Sequence, residues 1–359
     1  SRFYMNTDSL GFVFVGGGSA GHLAPLLAIE EELKMLHPKL EPLFLCAREE
    51  GDGTFLTHED VPYQALNLPR TRALMPFWCI GAYIRSLLTL HSFKPRAVVS
   101  KGGVVSVPVV LAAATMRIPV LIHESDSVSG RATRFLALFA KIRCRGLPWE
   151  RENEPTVWRN AFLTGLPVRP MIKNATPEKG YALTGFDGRK PVLLVMGGSQ
   201  GAQSINEALG RHREELLRSF DIIHLTGPRK NTLDRKPGYF PLSFAQEELP
   251  HLYAISTLAV SRAGAGAFSE LALFGIPTIL IPLEGLAQNH QLKNAENMEK
   301  LKACILMRQV NMERELVPTL ERLLKKPEER EQLTVHMQQL ASPDAAKKIA
   351  EMVIGLTAR

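Results

Sequence analysis

Across 359 residues the chain is 45% hydrophobic and 22% charged, with four cysteines and a formal net charge of +7. That length exceeds one ordinary core and predicts about two domains, and the composition excludes a disordered chain. Cys46, Cys79, Cys144 and Cys304 form no C-x-x-C pair, which excludes a disulfide framework or a cysteine zinc site and predicts a reducing, cytoplasmic compartment.

The N-terminal residues carry no signal-peptide pattern, and no apolar run reaches the ~18–20 residues of a membrane span. The first apolar run, Phe12–Val15, stops at Gly16-Gly17-Gly18-Ser19-Ala20-Gly21-His22 and restarts as a helix with Leu26, Ile29, Leu33 and Leu36 on one face. A strand that ends in glycines and resumes as a helix leaves free backbone N–H groups at the turn, backed by the positive end of the helix dipole. Such a turn suits phosphate. The second run, Pro42–Cys46, is followed by Ala47-Arg48 with no acid to hold a ribose, so Gly16-x-Gly18-x-x-Gly21 fits NAD poorly. NADP with Arg48 on its extra phosphate stays open, as does a turn whose glycines serve packing alone.

Next comes the apolar stretch Leu74, Met75, Phe77, Trp78, Ile80 and Ile84, flanked by Arg70, Arg72, Arg85, Lys94 and Arg96. Apolar residues ringed by cations suit a helix that dips into an anionic leaflet, while the same pattern fits a crossover helix packed on a sheet. A mixed arrangement is expected, with Phe77 and Trp78 as the exposed pair. Strands follow at Ala97–Ser100 and Val120–His123, and Gly165-Leu166-Pro167-Val168-Arg169-Pro170 reads as the hinge. The predicted domains are residues 1–165 and 166–341, with 342–359 as a separate C-terminal helix.

The second half repeats the opening architecture. Val192–Met196 runs into Gly197-Gly198-Ser199-Gln200-Gly201-Ala202 and a helix carrying Ile205, Ala208, Leu209 and Leu216, about 180 residues after the first glycine turn. Further strands are predicted at Asp221–Leu225, Leu258–Ser261 and Thr278–Ile281. After Ile281 only helices are expected, with Glu313–Gln338 a charged surface pair. Short apolar runs separated by helices predict an α/β fold with parallel sheets covered on both faces.

Chemistry concentrates after the strand ending at Ser261. In Arg262-Ala263-Gly264-Ala265-Gly266 the small residues let backbone amides approach a pyrophosphate. Glu270, in the following helix, can accept hydrogen bonds from both hydroxyls of a ribose or act as a dipole-favoured helix acid. Asn289-His290-Gln291 and Asn294 stand at a loop-to-helix junction where they can read sugar hydroxyls or serve as caps. The positive charge favours an anionic partner. No zinc-finger, RNP or helix-turn-helix signature accompanies it, so no nucleic acid is expected.

Taken together, the Gly17–His22 turn, Lys101-Gly102-Gly103-Val104-Val105-Ser106-Val107-Pro108, His123-Glu124-Ser125-Asp126, Gly165–Arg169, Gly197–Ala202, Arg262 through Glu270 and His290-Gln291 occur in one order. The set resembles the bacterial cell-wall N-acetylglucosaminyltransferases of glycosyltransferase family 28. The resemblance implies a GT-B fold, meaning two Rossmann-like domains, a deep cleft and a last helix that returns to the first domain. It implies transfer of N-acetylglucosamine from UDP, with inversion and no essential metal or other cofactor, to the 4-hydroxyl of undecaprenyl-pyrophosphoryl-N-acetylmuramyl-pentapeptide. UDP-N-acetylglucosamine is expected against Ser199, Gln200, Gly201, Arg262, Gly264, Ala265, Glu270, His290 and Gln291. Arg169, Ser19, Ala20, Gly21 and Asp126 complete that donor set. The lipid acceptor is expected against Gly18, Gly21, His22, Gly102, Gly103 and Val104.

His22 is a candidate general base, with Glu124 and Asp126 as alternatives, and a purely phosphate-binding His22 fits equally well. The chain departs from the family at Val104, usually aromatic, at Leu166 and Asp126, usually asparagine, and at Asn289, usually an acid. The implied setting is the cytoplasmic side of the inner membrane, peripheral on an anionic leaflet and beside the cell-wall synthesis machinery. Rival readings are a glycolipid synthase acting on diacylglycerol, an NADP-dependent oxidoreductase and an inactive UDP-sugar-binding scaffold.

Overall fold

A computed structural model describes residues 10–17, 20–69, 74–149, 154–198, 201–227, 234–285 and 289–357. The chain divides into two units, residues 1–169 with 343–359, and residues 170–342. The first break falls within the expected hinge, a few residues beyond the expected boundary after residue 165, and Arg169 is bound into the first unit. Its Nη2 lies 2.5 Å from Glu31 Oε1, and its Nη1 donates to Glu59 Oε1 at 2.9 Å.

The first unit runs β1 (Leu10–Val15), α1 (Ala20–Leu36), β2 (Leu40–Cys46), α2 (Thr54–His58), β3 (Tyr63–Ala65), α3 (Met75–Phe93) and β4 (Ala97–Ser100). It continues with α4 (Ser106–Thr115), β5 (Val120–Glu124), α5 (Arg131–Leu136), β6 (Ile142–Arg145) and β7 (Phe162–Leu163). The second unit runs α6 (Pro177–Thr184), β8 (Val192–Met196), α7 (Gln203–Leu216), β9 (Asp221–Leu225), β10 (Tyr239–Leu242), α8 (Leu249–Ile255) and β11 (Leu258–Ser261). It ends with α9 (Ala265–Phe274), β12 (Thr278–Leu280), α10 (His290–Lys300), β13 (Ile305–Leu306), α11 (Met312–Lys325) and α12 (Pro327–Leu340). The chain then returns to the first unit as α13 (Ala345–Thr357).

Each sheet is parallel. The first has seven strands in the order β3-β2-β1-β4-β5-β6-β7, and the second has six in the order β10-β9-β8-β11-β12-β13. Side chains alternate across each strand, so β1, buried from Gly11 to Val15, serves two layers at once. Phe12 and Phe14 face α1 and α13 with Leu26, Ile29, Leu33, Ile349 and Val353, while Val13 and Val15 face the layer of Val109, Val110 and Phe93. Phe14 stacks on Phe44 of β2 at 4.9 Å between ring centroids.

The apolar runs of the sequence correspond to the central strands of both sheets. Strands β3, β6, β7, β10 and β13 lie toward the edges and went unpredicted. They are short or carry polar residues and proline, as in Ile142-Arg143-Cys144-Arg145 and Tyr239-Phe240-Pro241-Leu242. The helices-only reading after Ile281 is therefore corrected by β13. The surface reading of Glu313–Gln338 is corrected too, because Leu316, Val317, Leu320 and Leu323 of α11, with Leu333 of α12, enter the core of the second unit.

Candidate active site

In an open parallel sheet the ligand crevice lies beyond the carboxyl ends of the strands, where the strand order reverses. That point falls between β1 and β4 in the first unit and between β8 and β11 in the second. The sequence places its glycine-rich turns at these four strand ends. Gly18, Ser19, Ser199, Gln200 and Arg72, named as site or membrane residues, lie outside the described residues.

In the first unit, Gly16 and Gly17 follow β1, and Gly21 and His22 stand in the first turn of α1. His22 is exposed, and its Nδ1 lies 2.8 Å from the Gly17 carbonyl. A carbonyl only accepts, so Nδ1 carries a proton, and in the neutral ring Nε2 then has the lone pair. After β4, Gly102 adopts φ +74°, and a Cβ there would stand 2.3 Å from Thr133 Oγ1, so glycine is required twice over. The Gly103 amide donates to that same Thr133 oxygen at 3.1 Å, and Ser106 Oγ closes on the Gly102 carbonyl at 2.6 Å. Val104, beside them, is 43% exposed.

Beyond β5 lies a buried cluster of ionisable groups. Lys101 Nζ donates to His123 Nδ1 at 3.0 Å and to Ser125 Oγ, and His123 Nε2 donates to the Gly165 carbonyl at 3.0 Å. Burial, with the adjacent Lys101 ammonium, holds His123 well below the usual imidazole range, so it is neutral. Burial and the Asp126 charge push the Glu124 carboxyl up to about 7, against the pull of Lys101. Glu124 Oε1 accepts the Asp126 amide at 3.2 Å, and the Trp149 indole donates to the Asp126 carbonyl at 2.8 Å. Lys101 was not singled out from the sequence, although a lysine directly after an apolar strand and before two glycines is a usable signal. Trp149 gave none.

In the second unit, Gly201 adopts φ +69°, and a Cβ there would stand 2.4 Å from the Thr226 carbonyl. Gly264 caps α9 with extended backbone, and a Cβ on Gly264 or Gly266 would meet open space. The first N–H groups of α9, from Ala265 onward, have no partner within the helix and are of the kind that binds an anion. One turn later, Glu270 Oε2 accepts the Tyr253 phenol at 2.7 Å; burial raises its carboxyl and that bond lowers it. Tyr253, which the sequence did not flag, is 1% exposed.

Arg262 is a tie within the fold. Its Nη1 donates to the Ile281 and Pro282 carbonyls at 3.1 and 3.2 Å, and its Nη2 to Ser204 Oγ and Gln309 Oε1 at 2.9 and 3.0 Å. Asn294 Nδ2 reaches the Ala263 carbonyl at 3.2 Å, Gln291 Oε1 accepts the Leu283 amide at 2.9 Å, and Asn289 Oδ1 accepts the Gly285 amide at 2.7 Å. These bonds shape the loop after β12, with His290 half-buried at the start of α10.

On α3, Leu74, Phe77, Ile80, Ile84 and Leu88 recur in steps of three and four and are 54%, 74%, 62%, 52% and 66% exposed. Arg85 is exposed on the same helix, and Met75 is half-buried. Trp78 corrects the expected exposed pair: its indole donates to the Leu66 carbonyl at 2.9 Å and its ring packs on the core. No helix among the described residues is long and apolar enough to cross a membrane.

At the end of β2, where a Rossmann oxidoreductase binds its ribose, Asp52 Oδ2 accepts the Ala47 amide at 3.1 Å. Two Rossmann-like units with glycine-rich turns at both switch points have the architecture of the GT-B class. The glycosyltransferase family 28 N-terminal domain matches residues 12–142 and the family 28 C-terminal domain residues 192–349, and the chain belongs to that family.

Two curated relatives bear the same name. A UDP-N-acetylglucosamine--N-acetylmuramyl-(pentapeptide) pyrophosphoryl-undecaprenol N-acetylglucosamine transferase of Listeria welshimeri is 32% identical, over 95% of this chain and 98% of its own length. A like-named enzyme of Bacillus thuringiensis is 36% identical over 80% of this chain and 84% of its own. Among solved structures, MurG of Acinetobacter baumannii has the same fold at 22% identity, with a TM-score of 0.75 over 97% of this chain and 99% of its own.

Proposed function

We propose that the chain transfers N-acetylglucosamine from UDP-N-acetylglucosamine to the 4-hydroxyl of undecaprenyl-pyrophosphoryl-N-acetylmuramyl-pentapeptide, completing the disaccharide unit of peptidoglycan. The observation that carries this reading is the alignment, over nearly the full length of both chains, with relatives of that name. The oxidoreductase reading is not favoured, since the family match covers both halves of the chain.

In this reading the second unit holds the donor. Amides of the turn around Ser199, Gln200 and Gly201, with Gly264 and Ala265 at α9, meet the pyrophosphate, and Glu270 accepts the two ribose hydroxyls. His290 and Gln291 read the sugar. Arg262 acts through the loops that it ties. The first unit takes the acceptor pyrophosphate at Gly18, Gly21, His22, Gly102, Gly103 and Val104, and Ser19, Ala20, Gly21 and Asp126 are assigned to donor binding. Arg169, held by Glu31 and Glu59, fixes the end of the hinge.

The acceptor oxygen attacks the anomeric carbon from the face opposite UDP, the bond to UDP breaks with its electron pair leaving on phosphate, and the configuration inverts. The hydroxyl proton goes to the Glu124–Asp126 pair, whose raised carboxyl is poised near neutral pH. A base at His22 is the second reading, favoured by the lone pair that the Gly17 contact leaves on Nε2. No cofactor enters this scheme.

The exposed face of α3 with Arg85 rests on the anionic cytoplasmic leaflet, where the lipid acceptor and the cell-wall synthesis machinery reside. A UDP-release assay across sugars and lipids tests the whole. Release is expected only with UDP-N-acetylglucosamine and the muramyl-pentapeptide lipid. Release with diacylglycerol identifies a glycolipid synthase, and release with neither identifies a binding scaffold.

A further inference from the structure

We infer that Lys101 is a positioning residue of the transfer reaction: its buried ammonium, clasped by His123 and Ser125, holds the turn that carries Asp126 and keeps the Glu124–Asp126 pair available as a proton acceptor. The inference rests on the reading of that pair as the base.

The placement follows from the sheet. Ser100 of β4 is in register with Ile122 of β5, which sets Lys101 and His123 side by side one residue beyond. Lys101 is 5% exposed and Glu124 7%. Because His123 gives its only proton to Gly165, its Nδ1 accepts from Lys101 and the ring supplies no charge. The ammonium is balanced instead by Glu124 and Asp126, whose charges act on it through space. Asp126 makes the Glu124 carboxyl harder to ionise and the Lys101 ammonium opposes that, so the cation helps to keep the carboxylate available to accept a proton.

Several neighbouring cations of the surrounding elements have other partners. Arg145 of β6, in register with Glu124, is committed to Glu154 at 2.8 Å and to the Trp149 ring at 5.3 Å. Arg134 of α5 donates to the Ser129 carbonyl at 3.3 Å, and neither it nor Arg131 is among the charges felt by Glu124. His22, at the start of α1, bonds Gly17. The backbone of the turn is held from its other side by Trp149, so the Ser125 side chain is the part that Lys101 secures. An apolar residue of similar length would fill this space with less desolvation, so a buried lysine here marks a need for the charge.

Lys101→Met removes both charge and hydrogen bonds, Lys101→Gln removes the charge but keeps a donor, and Lys101→Arg keeps the charge. Profiles of kcat/KM are measured from about pH 5.5 to 9.5 with UDP-N-acetylglucosamine and the muramyl-pentapeptide lipid. Without the cation the carboxyl is harder to ionise, so the acid limb moves up by about 1–2 pH units in the Met and Gln variants, an about 10–100-fold loss at pH 6 that recovers by about pH 9. Lys101→Arg keeps the wild-type limb. A lower rate with an unmoved limb in both uncharged variants overturns the inference, as does a wild-type profile for Lys101→Gln. Titration of 15N-lysine-labelled wild-type protein beside Glu124→Gln leaves Lys101 itself unchanged: its signal must respond in wild type to an ionisation that Glu124→Gln lacks, and an indifferent Lys101 signal overturns the coupling. Wild-type protein that releases no UDP overturns the functional reading instead.

Discussion

Replacing Glu270 by alanine tests the donor site and separates two roles of one carboxylate. A ribose diol gives the carboxylate two charge-assisted hydrogen bonds, each worth about 1.5–3 kcal/mol. The two share one group and exchange against water, so the net loss expected is about 3–4 kcal/mol, a weakening of UDP binding by roughly 100–1,000-fold. The same change strands the Tyr253 phenol, 1% exposed and bonded to Glu270 Oε2 at 2.7 Å, which costs about 1–3 kcal/mol of folding stability. Glu270→Gln keeps an acceptor for that phenol, so it recovers most of the stability while still losing the charge-assisted part of UDP binding. Calorimetry with UDP and thermal unfolding on the same samples read the two effects separately. A destabilised Glu270→Ala protein with unchanged UDP affinity would show that the carboxylate only satisfies Tyr253, and would remove it from the donor site.

His22→Gln, as loss of a phosphate contact, should raise the acceptor KM by about tenfold and leave kcat within a few-fold; a kcat loss of about 10²–10⁴ would move the base from the carboxylate pair to His22. Phe77→Ser with Ile84→Ser should weaken binding to anionic vesicles in a co-sedimentation assay without changing UDP affinity, whereas Trp78→Ser should lower the melting temperature because its indole is bonded to Leu66. Vesicle binding that survives the double change assigns membrane contact elsewhere. His224, neutral between the Tyr239 hydroxyl at 2.8 Å and Asn206 Oδ1 at 3.0 Å, is lowered by burial from 6.5 to about 4. The unfolded chain binds its proton first, so this group contributes up to about 3 kcal/mol that is present above pH 6.5 and lost as the pH falls toward 4. The wild-type melting temperature should therefore fall more steeply over that window than that of His224→Gln, and parallel slopes would refute the burial argument.

The parts of the fold that the sequence reveals are those where one physical demand acts alone. A central strand such as Val192–Met196 is buried on both faces and reads as an unbroken apolar run, and the turn after it needs glycine because a Cβ on Gly201 would strike a backbone carbonyl. Edge strands answer to several demands at once. In β6, Arg143 donates to the Ala137 and Ala140 carbonyls and Arg145 pairs with Glu154, so its polar residues are structural and hide the strand. Trp78 was misread for a similar reason: composition marks a helix as amphipathic, but only the register of its face decides which aromatic turns outward.

The charged groups of the site show the sharper limit. By the family resemblance, Arg169 and Arg262 belong to the expected donor set. In the fold both are consumed within their own units, Arg169 by Glu31 and Glu59, and Arg262 by two carbonyls, a serine and a glutamine. Conversely Lys101, which the sequence offers only as part of a glycine block, stands in the ionisable cluster beyond β4 and β5. A guanidinium with five donors in a rigid fork is well suited to bind several fixed acceptors at once, and its charge is then screened where it stands. In the proposed function, anion recognition at these switch points falls to backbone amides and helix N-termini instead. Those groups need glycine and small residues, not cations, at the turns, and that is why Gly102, Gly201 and Gly264 carried more of the functional reading than the net charge of +7.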